Sequence, residues 1–577
     1  MLTKPDQSIW TVAFDGNGGA KKLTEGHAAA VSPNGDWVAF LRAGQIFFMK
    51  PSGADVVSAA TQLGTASDLT WSPDGKALAF VSSRRDHAFI GVYSVAEKSI
   101  HYLDPSVDSD ESPVWSPDSS RIAYLRIAAT RRDFMFGPER EGQPWSIRVT
   151  DCQTGKAQQI FVADKGPGSV FSPVVAAAQL FWSSEGRIVF PWEKTGWRHL
   201  YSVPAAGGTT LELTPGDGEV EHVSMQGGDV YFSANFKDID RRHLWSVEST
   251  GTQSPVQLTS GETIEWAPAP AADGSAVMFL ASSYNSRSHA AVKTGTGVTQ
   301  PLASETVPPS FPAAALVKPQ QVIFTASDGL QIHGQLFLPP GNTSERHPAL
   351  LFFHGGSQRQ MLLGFHYMEY YSNAYAMNQY LASQGYVVLS VNYRSGIGYG
   401  LNFREALNYG ATGASEFNDV TGAALYIKSR ADVDPARVGL WGGSYGGYLT
   451  ALGLARASDL FAAGVDFHGV HDWNEVIGNF TPSYDPQKQA AAAKLAFDSS
   501  PLASVKTWKS PVLLIHGDDD RNVPFSETIH LVEALREQNV TFEELIFPNE
   551  IHDLLLHHDW VTAYKATADF FARKLRQ

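Results

Sequence analysis

The stretch Leu440-Trp441-Gly442-Gly443-Ser444-Tyr445-Gly446-Gly447-Tyr448 decides how the second half of this 577-residue chain is read. Apolar Val438, Leu440 and Trp441 lead into a serine, and a small-residue run from Leu449 to Ala455, compatible with a helix, leads away from it. Glycines two places before and two places after Ser444 give G-x-S-x-G, a sharp strand-to-helix turn that presents a serine on strained backbone. A side chain on either of those glycines would collide with the strand or the helix, which is why glycine is needed there. Alone, the motif is also what a Gly/Ser-rich loop offers. Its weight rests on whether an acid and a base follow it in the chain.

They do. The apolar run Pro511-Val512-Leu513-Leu514-Ile515 leads to His516-Gly517 and then Asp518, Asp519 and Asp520. The strand-like Thr541 to Pro548 leads to Glu550 and His552, and Trp560, Tyr564, Ala568, Phe571 and Leu575 mark a closing amphipathic helix. Earlier, Ala349 to Phe353 leads to His354-Gly355-Gly356, and Tyr386 to Val391 leads to Asn392-Tyr393-Arg394. Continuous apolar strands separated by helices predict a mostly parallel sheet covered on both faces, with working residues beyond the strands' carboxyl ends. Serine, then acid, then histidine is the order of the α/β-hydrolase fold. A serine hydroxyl needs a base to act as a nucleophile, and the base needs an orienting acid.

Residues 1–315 follow another rule. Val31-Ser32-Pro33-Asn34-Gly35, Trp71-Ser72-Pro73-Asp74-Gly75 and Trp115-Ser116-Pro117-Asp118-Ser119 each precede a short apolar strand. Weaker echoes stand at Trp182-Ser183-Ser184-Glu185-Gly186, Gly227-Gly228 and Asp273-Gly274. A polar turn feeding a strand at a spacing of roughly 40 residues predicts a β-propeller of four-stranded blades. These six starts, with residues 1–27 as the outer strands of another blade, make seven the expected count. The long gap between Ser116 and Ser183 predicts an insertion over Arg131 to Trp145. A Pro/Ala-rich stretch from Pro301 to Pro319 reads as the linker to a second domain over 316–577.

Composition narrows the partners. A formal net charge of −15 argues against nucleic acid and against anionic lipid. A single cysteine, Cys152, leaves no disulfide framework and no cysteine-rich metal site. No metal motif such as H-E-x-x-H is present, and neither a metal nor a cofactor is expected. No stretch reaches the roughly 20 apolar residues of a membrane helix, and Met1 to Asp6 shows no signal-peptide core. At face value this predicts a cytoplasmic protein; a chain freed of its signal peptide would read the same and be periplasmic or secreted. Gly396, Gly398 and Gly400 do not form a dinucleotide fingerprint and read as a surface turn entering Leu401 to Leu407.

The whole chain resembles the prolyl oligopeptidase family of serine peptidases, which pair a β-propeller with an α/β-hydrolase domain. Within that family it is similar to the dipeptidyl peptidase IV and acylaminoacyl peptidase branches. Trp441 to Tyr448 resembles the family's G-x-S-Y-G-G-Y, and His516 to Val523 its H-G-x-x-D-x-x-V, which puts the acid on Asp520. His552 stands at the family's E-x-H, Asp328-Gly329 before Ile332-His333-Gly334 resembles the entry to the hydrolase sheet, and Gly196 to Tyr201 resembles a propeller motif. The resemblance implies Ser444 as nucleophile, His552 as general base and Asp520 as its orienting acid. Asp518 and Asp519 are rival acids, and His557 and His558 rival bases that abut the closing helix. His354 and His516 flank strand ends, where loop hydrogen bonding is the plainer role. The backbone N–H of Tyr445 and that of Gly356 are implied as oxyanion donors, with His354 where the dipeptidyl peptidase IV branch has a tyrosine.

Substrate groups follow from the same resemblance. Tyr445, Val470, Trp473, Asn522 and Val523 match an apolar pocket suited to proline, alanine or another modest apolar side chain. Val476 and Phe480 stand where the dipeptidyl peptidase branch has tyrosines. Glu139-Arg140-Glu141, in the insertion, offers glutamates for an N-terminal ammonium or Arg140 for a C-terminal carboxylate, against a plain reading as a solvated charged loop. The implied function is a serine exopeptidase or oligopeptidase acting on short peptides, monomeric or assembled, a homodimer included. An esterase of the same fold and a non-catalytic propeller interaction protein are the alternatives.

Overall fold

The computed structural model describes residues 7–13, 18–129, 136–295, 297–303, 307–341 and 345–576. The N-terminal part is built of antiparallel sheets in chain order. Four of them are four-stranded: His27–Val31 to Val57–Ala60, Phe181–Trp182 to Leu211–Glu212, Val220–Gln226 to Val256–Gln257, and Ile264–Pro270 to Gln300–Pro301. A further eight-stranded sheet is two such blades, Thr65–Trp71 to Ser99–Leu103 and Ser109–Trp115 to Ala157–Val162, joined where Ser109 pairs with Ala88. Where the seventh blade is expected, Ser8–Thr11 and Lys21–Glu25 form a two-stranded ribbon. Ile9 of the ribbon packs on Val38, Phe40 and Met49 of the first four-stranded blade.

The repeated turns earn their spacing by hydrogen bonding. In the first three, the Ser32, Ser72 and Ser116 hydroxyls each donate to the acidic or amide side chain two residues on, at 2.7, 2.7 and 2.6 Å. Each also accepts the N–H that starts the next strand, from Trp37, Ala77 and Arg121. Indole N–H groups then join blades: Trp71 donates to Ala30 O at 2.9 Å and Trp115 to Thr70 O at 3.0 Å. A blade therefore satisfies part of its polar inventory only beside its neighbour.

In the C-terminal part, β1 (Gln320–Thr325), β2 (Gln331–Phe337), β3 (His347–Phe353), β4 (Val387–Asn392), β5 (Val433–Gly443), β6 (Ala463–Phe467), β7 (Val512–Gly517) and β8 (Phe542–Phe547) form one eight-stranded sheet. Its order is β1-β2-β4-β3-β5-β6-β7-β8, antiparallel through the first three and parallel beyond. Alternate residues of β3 serve opposite faces: Ala349, Leu351 and Phe353 join one core, and Leu350 and Phe352 the other. Helices α3 (Phe417–Ser429) and α4 (Tyr445–Arg456) cover the first face. Helices α1 (Glu369–Ser383) and α8 (His557–Leu575) cover the second.

The two parts meet through buried polar contacts. Arg404 holds Glu193 with two bonds of 2.6 and 2.7 Å, and Arg242 bonds both Glu221 and Gln360. The glycine turn at 396–400 is not on the surface. Gly396, Gly398 and Gly400 are buried, with the Gly400 N–H donating to Glu219 and the Asn235 amide donating to Gly398 O. Leu401 N–H also donates to Gly196 O of the propeller motif. The polar look of that turn reflects bonding to the other domain rather than to water.

Candidate active site

Ser444 sits between β5 and α4 with φ 58° and ψ −120°, a strained conformation for a residue with a Cβ. Its N–H donates to Phe467 O at 2.9 Å, tying the turn to the end of β6. A Cβ on Gly442 would stand 2.5 Å from Phe353 O, and one on Gly446 would collide with the same carbonyl. Both flanking glycines are thus required by the approach of β3. Tyr445 opens α4, where a backbone N–H has no intrahelical acceptor. The turn after β3 lies directly against the serine: a Cβ on Gly355 would be 3.2 Å from Ser444 Cβ. Gly356 follows at φ 84°.

Asp520 and His552 come together from the ends of β7 and β8. His552 Nδ1 lies 2.6 Å from Asp520 Oδ2, while Asp520 Oδ1 accepts the N–H groups of Asn522 and Val523 at 2.8 and 3.0 Å. His516 is fully buried, with Nε2 3.1 Å from Asp520 Oδ2 and Nδ1 2.8 Å from Thr528 Oγ1. Burial opposes charge on Asp520, yet the hydrogen bonds from His516 and His552 outweigh it and hold the carboxyl well below the usual range. Asp518 and Asp519 engage Asn549 and Arg521, while His557 and His558 are exposed. Glu550 accepts the N–H groups of Leu555 and Leu556, holding the loop that carries His552.

Two residues absent from the sequence reading complete this side. His468 is buried at φ 39°, its ring centroid 4.2 Å from that of His552, and Tyr370 Oη lies 3.3 Å from its Nε2. Burial first, then the neighbouring His552 and His516, keep His468 far below the ordinary histidine range, so its ring is neutral. Donor atoms of His468, Asp520 and His552 lie within 4.8 Å of one another, the grouping among the described residues that has metal-ligand spacing. Asp520 and His552 direct theirs at each other. His354 is fully buried, stacked on Tyr393 at 4.3 Å, and pushed down to about 3 by burial.

Beyond the serine, an aromatic cluster follows from Tyr445. Tyr445 packs against Trp473 at 5.5 Å, and Val470, Trp473, Val476 and Val523 are buried in the same core. Phe480 is 47% exposed, and Asn522 is exposed. Phe136, from the propeller's insertion, reaches this wall, 5.1 Å from Trp473 and 6.0 Å from Phe480. Residues 131–135 of that insertion lie outside the described residues. From Phe136 on, the strap is fastened to the hydrolase domain. Phe136 O accepts the Ala411 N–H, Gly137 O the Tyr409 hydroxyl, and Glu405 the Glu139 N–H. Arg140 donates to the carbonyls of Glu405 and Asn402, and the Glu139 and Glu141 residues are exposed. Glu416, beneath, accepts from the Tyr445 hydroxyl and from Gly410 N–H, and burial pushes its carboxyl up to about 7. Neither Phe136 nor Glu416 carried a readable signal, because each acts through partners far away in sequence.

Comparison with known proteins gives two matches: residues 372–577 with the prolyl oligopeptidase family, and 138–287 with the dipeptidyl peptidase IV N-terminal region. Dipeptidyl aminopeptidase BIII of Pseudoxanthomonas mexicana is 31% identical over 36% of this chain and 30% of its own length. The acylamino-acid-releasing enzyme of Sus scrofa is 25% identical over 84% of this chain and 63% of its own length. The matches thus span less than two thirds of these curated relatives. Among solved structures, Porphyromonas gingivalis dipeptidyl peptidase 4 superposes with a TM-score of 0.78 over 100% of this chain and 87% of that one, at 19% identity, a likeness of fold. Among the described residues no helix is long and apolar enough to cross a membrane.

Proposed function

We propose that the chain is a serine peptidase of the prolyl oligopeptidase family that hydrolyses short peptides through Ser444, His552 and Asp520. Two observations support this reading: a strained serine after β5, and a buried carboxylate 2.6 Å from a histidine on the loops after β7 and β8. His468 links them, its ring 4.2 Å from that of His552 and 3.3 Å from where a Cβ on Gly443 would stand. In this reading residues 1–315 form the propeller and residues 316–577 the catalytic domain.

The chemistry follows from the groups. Ser444 Oγ attacks the scissile carbonyl carbon while His552 takes its proton. Asp520, ionised by its two histidine contacts, keeps the Nδ1 proton of His552 in place and offsets the charge the ring acquires. The N–H groups of Tyr445 and Gly356 stabilise the oxyanion. His552 then returns the proton to the departing amine, and a water deprotonated by the same ring hydrolyses the acyl-enzyme.

The pocket of Tyr445, Val470, Trp473 and Val523, closed by Phe136, suits a modest apolar residue such as proline or alanine before the cut; Asn522 borders it. Glu139 and Glu141 are the groups proposed for a substrate ammonium, since Arg140 is bonded to backbone carbonyls. A fluorophosphonate probe and a peptide-library digest read by mass spectrometry test the assignment. Ser444→Ala should abolish both labelling and cleavage; cleavage that survives this substitution sinks it.

A further inference from the structure

Arg359 follows the turn that presents Gly356, and its side chain lies over that glycine. A Cβ on Gly356 would be 3.4 Å from Arg359 Cγ and 3.5 Å from Cζ. Four arginines that hold the fold together have carboxylate partners: Arg126 with Asp110, Arg242 with Glu221, Arg394 with Asp419, Arg404 with Glu193. Arg359 differs. Among the described residues no carboxylate stands within ion-pair distance of it; Nη1 donates to Gln358 O at 2.7 Å, and the buried Nε has no partner. In a chain of net charge −15, a guanidinium without a carboxylate beside a strained serine needs a reason.

The position supplies one. Tyr371 faces the same turn, its hydroxyl 3.1 Å from where a Cβ on Gly355 would stand. Tyr371 packs beside Tyr370 at 5.2 Å, and Tyr370 contacts His468, whose ring rests on His552. Arg359 therefore stands at the turn of Gly355 and Gly356, beside Ser444. The C-terminal carboxylate of a peptide belongs to the fragment that departs with the protonated amine, and a short departing fragment keeps that carboxylate close to this turn.

We infer that Arg359 binds the C-terminal carboxylate of the departing fragment, making short peptides with a free C-terminus the preferred substrate class. This rests on the peptidase reading and deepens it. A guanidinium matches a carboxylate in geometry and charge. The fragment must be short, because its terminus has to lie next to the oxyanion turn.

The test uses di- to pentapeptides of one sequence series, each as free acid and as C-terminal amide. Wild-type protein should favour the acids in kcat/KM, mainly through KM, by on the order of 10- to 100-fold. Arg359→Gln should collapse that preference toward one, and Arg359→Lys should keep part of it. Calorimetry of the same peptides on Ser444→Ala protein reads the preference as binding, so it stands apart from whether the chain cleaves peptides at all. An acid-to-amide preference that is absent in wild type, or unchanged in folded Arg359→Gln, overturns the inference.

Discussion

His468 lies with its ring 4.2 Å from that of His552, tilted by 57°, and bonded on its far side by Tyr370. The contact limits where the His552 ring can swing, and a neutral neighbour does not oppose the imidazolium that the proposed mechanism forms on His552. Replacing His468 with alanine frees the ring. The expected result is a fall in kcat on the order of 10- to 100-fold with KM little changed, read by steady-state kinetics. His468→Phe, which keeps a ring in place, should recover part of it.

Asp520→Asn leaves the side chain's shape but lets the amide donate to His552 Nδ1, selecting the wrong tautomer. Turnover should drop by on the order of 10⁴-fold while substrate affinity holds. Burst kinetics with an activated ester would place the loss in acylation.

Glu416 gives a pH signature. Its buried carboxyl is raised from 4.5 to about 7, so the folded chain holds this proton more tightly than the unfolded chain does. Stability from this group is complete below pH 4.5 and is lost as pH climbs toward 7. Glu416→Gln retains an oxygen for the Tyr445 and Gly410 donors without an ionisable proton. The difference in Tm between wild type and variant should shift in the variant's favour across that window and level off above it.

Phe136→Ala removes the propeller's contribution to the pocket wall. Cleavage after leucine or phenylalanine should rise relative to alanine by roughly 10-fold or more. A P1 series with an invariant leaving group measures the ratio, and an unchanged profile would show that Phe136 is mere packing.

Much of the site was legible because its chemistry is local. The G-x-S-x-G turn, the H-G-x-x-D run and the apolar strands before them are short-range patterns, each set by backbone sterics or strand burial within a few residues. The serine-turn repeat was legible too, since one hydroxyl serves a side chain two residues on and an N–H five residues on. The glycine turn at 396–400 was misread because sequence polarity does not say whether the partner is water or another domain. Glu219 and Asn235, which bond it, are more than 160 residues away.

By itself, the sequence determined the two folds, the order of serine, acid and histidine, and the strand ends on which they stand. These follow from periodicity and from glycine's freedom at one turn. Only the tertiary structure decided that the His468 ring rests on His552, that Phe136 crosses from the propeller onto Trp473, and that Arg359 has no carboxylate beside it among the described residues. Each of these is a relation between side chains brought together by packing, and burial and partnership are properties of the packed chain rather than of any residue in it.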